Sequence, residues 1–259
     1  MRNSRVAIAA ALTLALTPFA ARAEAGFVPG EQLDFSIDYL GVRTGLARIA
    51  VGQPEGPVWP IIAQARTDGL ASLLDIREHL VAYWVPDERA SRGNDLAALE
   101  LGDRHQDSAR FDRVNGKATV RITRKGRLTE RVIDVPRDVH DVAGAVLWLR
   151  VQELEPGSHY EVPLFTGSRT FTLVADVVGV EAVKTPAGAF QTVKVQVRTA
   201  FEGKFSTRRD TFFWFTRDSQ HVPVRVTADF SVGTVVVEMT GYRPGGAFAS
   251  AVGPAAGAR

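Results

Sequence analysis

The sequence predicts a mainly β protein. The expected form is a large twisted antiparallel sheet curled into an open barrel or sandwich, with one packed α-helix at about residues 141–155. Three observations carry this. Apolar residues recur with a period of two through most of the chain. Glycine-marked reversals separate those stretches. A single segment switches to a helical period.

The chain opens with the basic stretch Met1-Arg2-Asn3-Ser4-Arg5, runs apolar from Val6 to Leu16, and reaches the small-residue site Ala21-Arg22-Ala23. That order predicts a secretory signal peptide over residues 1–23. The apolar run is short for a spanning helix, and Pro18 interrupts it. A periplasmic or secreted protein is expected after cleavage near Ala23, with no integral membrane segment in the rest. The chain has no cysteine, so neither a disulfide framework nor a lipid-modified cysteine is available.

Cleavage also changes the charge balance. The whole chain has a formal net charge of +2. Residues 1–23 hold Arg2, Arg5 and Arg22 and no acid. Taking those three from 31 leaves 28 basic side chains against 29 acidic, a net of −1. The excess positive charge belongs to the leader, so no nucleic-acid partner is expected.

Residues 24–243 read as one β-rich domain and residues 244–259 as a disordered Gly/Ala/Pro tail. Leu33, Phe35, Ile37 and Tyr39 alternate with polar residues, as do Val193, Val195 and Val197, and Val224, Val226, Ala228 and Phe230. One-sided alternation favours antiparallel pairing. Reversals are expected at Gly41/Gly45, Asn115-Gly116, Lys125-Gly126, Thr166-Gly167, Thr185–Gly188, Glu202-Gly203 and Val232-Gly233. Gln53–Pro60 and Asp87–Asp95 read as loops, and residues 69–80 as mostly strand. From Asp141, residues Val142, Val146 and Leu149 recur at helical spacing. Asp141 suits an N-cap and Pro156-Gly157 a stop, giving a helix of about 12–14 residues.

Chemistry-bearing patterns are sparse. The five histidines, His79, His105, His140, His159 and His221, show no metal-ligand spacing and read as separate surface or turn residues; no metal or cofactor is expected. No nucleophile elbow, phosphate loop or dinucleotide fingerprint occurs. No catalytic residue is nominated. Phe212-Phe213-Trp214-Phe215 stands out, with Phe212 and Trp214 on one face and Phe213 and Phe215 on the other. A strand buried on both faces explains this, and an apolar groove on one face is the functional alternative. Phe212, Phe213, Trp214, Phe215 and Trp148 are the candidate ligand-binding residues, which Trp59, Tyr83 and Trp84 could extend. Lys204, Arg208 and Arg209 form a local basic stretch. Arg150, between apolar neighbours, calls for an acidic partner.

Three stretches resemble the secreted bacterial proteins grouped as domain of unknown function 3108. They are Gly30-Glu31-Gln32-Leu33 with Tyr39-Leu40-Gly41 and Gly45; Asp141–Arg150 followed by Pro156-Gly157; and Val178–Glu181 through Pro186–Phe190 to Lys194-Val195, with Pro223. The resemblance implies an envelope location and a one-domain β-rich fold, and carries no activity or site residues. The expected function is a non-enzymatic envelope protein that binds an apolar or lipidic ligand, or a partner protein, in the sheet's concavity. The alternatives are a structural or assembly protein acting through its surface, and a hydrolase with two carboxylates or a Ser/His pair meeting in a cleft.

Overall fold

A computed structural model describes residues 26–201, 204–205, 210–229 and 233–246. The expected signal peptide over residues 1–23, Glu202-Gly203, Arg208, Arg209, Phe230, Val232 and the tail from 247 lie outside the described residues.

Fifteen strands form one sheet. The first eight are β1 (Gln32–Tyr39), β2 (Val42–Val51), β3 (Trp59–Thr67), β4 (Arg77–Val85), β5 (Ala90–Glu100), β6 (Asp103–Asp112), β7 (Lys117–Arg124) and β8 (Arg127–Asp134). Helix α1 (Val142–Arg150) follows. Then come β9 (His159–Phe165), β10 (Thr170–Thr185), β11 (Gly188–Phe201), β12 (Lys204–Phe205), β13 (Thr211–Thr216), β14 (Pro223–Asp229) and β15 (Thr234–Arg243). The order is β8-β7-β6-β5-β4-β3-β2-β1-β15-β14-β13-β11-β10-β9, with β12 paired only to β11. Every strand pair is antiparallel. The sheet does not close. Between its end strands runs the segment 135–140, where His140 N–H donates to Pro163 O (2.9 Å) and Phe165 N–H to His140 O (2.8 Å).

Three of the seven connections among the first eight strands are two-residue hairpin turns: Leu40-Gly41, Leu101-Gly102 and Lys125-Gly126. In each, both residues have positive φ, between 50° and 85°, as a type I′ turn requires. Glycine takes that conformation freely, whereas an L-residue loses roughly 1–2 kcal/mol in it. Leucine at two of these positions is therefore unusual.

The helix lies between the first-half strands β2–β5 and the second-half strands β9–β13. On one side Ala145 and Leu149 pack on Val162, Leu164, Val177, Val195 and Phe215. On the other, Leu147 packs on Val51, Ile61, Ala82 and Trp84. At its start the Asp141 carboxylate accepts the Gly144 N–H (2.9 Å), the expected N-cap. Gly144 faces β5 closely: a Cβ there would lie 2.6 Å from Ser91 Cβ. Gly144→Ala is expected to push the helix off β5 and lower stability by about 1–3 kcal/mol. Urea unfolding checks this, and an unchanged midpoint would show that the helix has room to move.

Six expectations need correction. The helix has nine residues and ends at Arg150. Val151 leaves it, its N–H bonding to Trp148 O, and the Gln152 amide caps the same carbonyl. Residues 87–95 are not a loop. Pro86–Glu88 make one 3-10 turn, Arg89 is left-handed at φ 48°, and β5 starts at Ala90 because Ala90, Ser91 and Gly93 are buried. The first half of 69–80 is a 3-10 turn, Gly69–Leu74, stopped by left-handed Asp75 before β4. The Gln53–Pro60 loop ends earlier, since Trp59 and Pro60 already pair with Trp84 and Tyr83. Gly45 lies inside β2, and Asn115-Gly116 closes a four-residue turn in which the Asp112 carboxylate accepts the Val114 and Asn115 N–H groups.

Candidate functional site

A half-open cleft of about 820 Å³ lies beyond the C-terminal end of α1. Its floor is aromatic. Trp84 on β4 is buried, and Trp59, its cross-strand partner on β3, lies beside it. Phe27 packs edge-on to Trp59 at 6.3 Å and tilts against Trp84 at 5.9 Å. Tyr160 on β9 closes the far side, its hydroxyl donating to the Glu153 carbonyl. The chain from Val151 to Pro156 makes one wall, and Arg217–Ser219 with His221 the other. Arg89, Arg217, Asp218, Glu153 and Glu155 place charge of both signs around the opening. The site is thus amphipathic.

An ion pair holds the wall in place. Arg150, the last residue of α1, donates Nη1 to Glu31 Oε2 (2.8 Å) and Nη2 to Glu31 Oε1 (2.9 Å). The side chains are 3 % and 2 % exposed. The guanidinium lies 5.0 Å from the centre of the Phe27 ring and donates to the Gln220 carbonyl at 3.2 Å. Glu31 is the acidic partner that Arg150 requires. The Tyr242 hydroxyl shares its one hydrogen between Glu31 Oε1 (3.3 Å) and Gln220 Oε1 (3.0 Å). Burial, with the Glu31 charge beside it, pushes that phenol up to about 12. His221 Nδ1 donates to Arg150 O at 2.9 Å, so Nδ1 carries the hydrogen. The network ties the start of β1, the end of α1, the 217–221 turn and β15 together behind the cleft.

A second polar cluster sits at the other end of the helix. The Ser91 hydroxyl donates to Asp141 Oδ2 and accepts the Gly93 N–H at 3.0 Å. Burial raises the Asp141 carboxyl above its usual range, and the Ser91 and Gly144 hydrogen bonds oppose that shift. His140, between Trp84 (6.0 Å) and Trp148 (6.3 Å), has a buried Nδ1 without a partner. Burial, reinforced by the Arg113 charge, lowers its pKa to about 4. A serine, an aspartate and a histidine thus meet, but not as a catalytic triad. All three are buried, and the hydroxyl is committed to the carboxylate rather than to the imidazole. His140 and His105 are buried, which corrects their reading as surface residues.

The five aromatic candidates take other places. Phe213 and Phe215 stack at 5.7 Å and 8° and pack in the core that the helix covers, Phe215 fully buried. Phe212 and Trp214 face the other way, as the alternation requires. Lys194 Nζ lies 4.7 Å and 4.9 Å from their ring centres, and the Trp214 indole donates to Glu181. Strand β13 is therefore packed on both faces. Trp148 wedges between the two sides of the sheet against Tyr160 and His140. None of the five lines the cleft, whereas Trp59 and Trp84 do. Phe27 and Tyr160 went unnoticed in sequence. The one sequence signal for this wall was Arg150 between apolar neighbours.

Among the described residues no group of three or more His, Cys, Asp or Glu side chains could hold a metal ion. No described helix is long and apolar enough to cross a membrane.

Fold and site together define an open, β-barrel-like protein with a helix packed between the two halves of one antiparallel sheet. The chain belongs to the family described as protein of unknown function DUF3108, whose sequence profile matches residues 34–240. It is similar in fold to a β-barrel-like protein of domain of unknown function DUF1849 from Brucella abortus. The TM-score is 0.58 at 9 % identity, covering 84 % of this chain and 98 % of that one. A "putative lipoprotein" from Parabacteroides distasonis is more distant, with a TM-score of 0.37 at 12 % identity over 84 % of this chain and 97 % of that one. No curated protein matches the sequence.

Proposed function

We propose that this is an exported envelope protein that holds one amphiphilic or apolar small molecule in the cleft at the end of α1. The observation that carries the reading is the cleft itself. Its volume of about 820 Å³ falls within the usual range of small-molecule sites. The partly exposed rings of Trp59 and Tyr160 suit a hydrocarbon or ring, and the charged opening suits a polar head. The leader-like residues 1–23 support export.

The test is native mass spectrometry of protein purified from its own envelope, with titration of lysophospholipids and fatty acids followed by tryptophan fluorescence. A bound small molecule or a saturable fluorescence change is expected, and Trp59→Ala is expected to weaken binding about tenfold, roughly the loss of one buried aromatic contact. A ligand-free protein whose fluorescence ignores every probe would sink the reading.

A further inference from the structure

Five leucines are exposed among the described residues: Leu40, Leu73, Leu74, Leu101 and Leu128. They are not scattered. The antiparallel meander β1 to β8 puts the β1–β2, β3–β4, β5–β6 and β7–β8 connections at one end of the sheet. Leu40 is in the first of these, Leu73 and Leu74 in the second, Leu101 in the third, and Leu128 beside the fourth. This rim is opposite the helix and the cleft. Leu73 is 90 % exposed, Leu101 73 %, Leu40 62 % and Leu128 60 %.

The backbone makes the choice of residue pointed. Leu40 and Leu101 hold φ of 52° and 51°, the first position of turns that asparagine or glycine fills at lower cost. A leucine kept in a strained conformation and in water serves neither the turn nor the core. Charge accompanies each tip. Arg43, Arg77 and Arg104 each follow a tip leucine by three residues, and Lys125 and Arg127 precede Leu128. Asp38 and Asp75 pair with Arg43 and Arg77, and Glu100 and Asp103 stand beside Arg104, while Lys125 and Arg127 form no ion pair among the described residues.

We infer that this rim docks on a bilayer surface containing anionic lipid. The leucines are spread over four connections, with Leu73 and Leu74 sharing one and charged residues between them, and such spread tips give a protein partner no single apolar face to cover. A fluid headgroup layer takes each side chain separately, and the cations Lys125 and Arg127 at the β7–β8 tip fit lipid phosphates.

Vesicle co-sedimentation tests this with the purified protein. Binding is expected to phosphatidylethanolamine/phosphatidylglycerol vesicles, more weakly to phosphatidylcholine, and to decline as salt rises. Leu40→Asn with Leu101→Asn is expected to cut vesicle affinity by about tenfold or more, while the melting temperature holds or rises because asparagine suits both turns. Lys125→Glu with Arg127→Glu is expected to abolish the preference for anionic vesicles. Trp59→Ala should leave vesicle binding intact, which separates the rim from the cleft. Wild-type protein that ignores both vesicles, or a double-asparagine variant that binds like wild type, would overturn the proposal. Equal binding to both lipid mixtures would overturn its charge component.

Discussion

Arg150→Ala is expected to destabilise the fold by about 3–5 kcal/mol, the usual cost of stripping one partner from a buried ion pair. Without the guanidinium, the Glu31 carboxylate stays buried with only the Tyr242 hydroxyl at 3.3 Å. The Gln220 carbonyl also loses its donor, and the Phe27 ring its cation. Glu31→Ala should cost a similar amount for the mirror reason. The double replacement Arg150→Met with Glu31→Leu removes both charges and fills the volume, so it should recover most of the loss. Guanidinium unfolding of the four proteins checks this. A single variant that loses less than about 1 kcal/mol would mean that water reaches the pair.

Acidification supplies the second large effect. His140 is buried and neutral, with its pKa lowered from 6.5 to about 4. The unfolded chain binds the proton more readily than the fold does, so the stability is complete above pH 6.5. It declines as pH falls from 6.5 toward about 4 and is fully lost below that. A shift of this size corresponds to about 3 kcal/mol. Asp141 acts with the opposite sign. Its raised pKa means the fold gains stability as that carboxyl takes up its proton below the folded pKa. The measurement is therefore the difference in slope between wild type and His140→Phe from pH 7 to 4. The variant keeps a ring between Trp84 and Trp148 and should lose the decline assigned to His140. Identical slopes would show that the imidazole protonates in place.

Much of the architecture was readable because its causes are local. Alternation along β1 and β11 follows from one face being buried, and the Asp141 cap acts three residues away at Gly144. The two-faced burial of β13 was legible for the same reason. The end of the helix was not. Val151 and Leu154 continue its apolar pattern, yet they line the cleft wall, and long-range packing overrides helical propensity there. Leu101-Gly102 was silent as a turn because leucine stands where asparagine would announce one. The cleft was hidden most completely. Arg150 and Glu31 are 119 residues apart, and the floor joins Phe27, two strands near the start and one from the second half. No periodicity encodes such a meeting.

The position of β15 bears on how the chain can fold. The last strand lies between the first strand and β14, with Tyr39 opposite Val235 and Asp229 opposite Thr234. It is the hydrogen-bonded link between the ladder running from β1 to β8 and the one running from β9 to β14. Until β15 is available, the two ladders can form only as separate sheets, joined covalently through α1 and its flanking segments. Uniting them waits on contacts of the longest sequence separation in the domain, which are slow to form. A chain threaded N-terminus first through a narrow pore would therefore keep its two ladders apart until its final strand emerged.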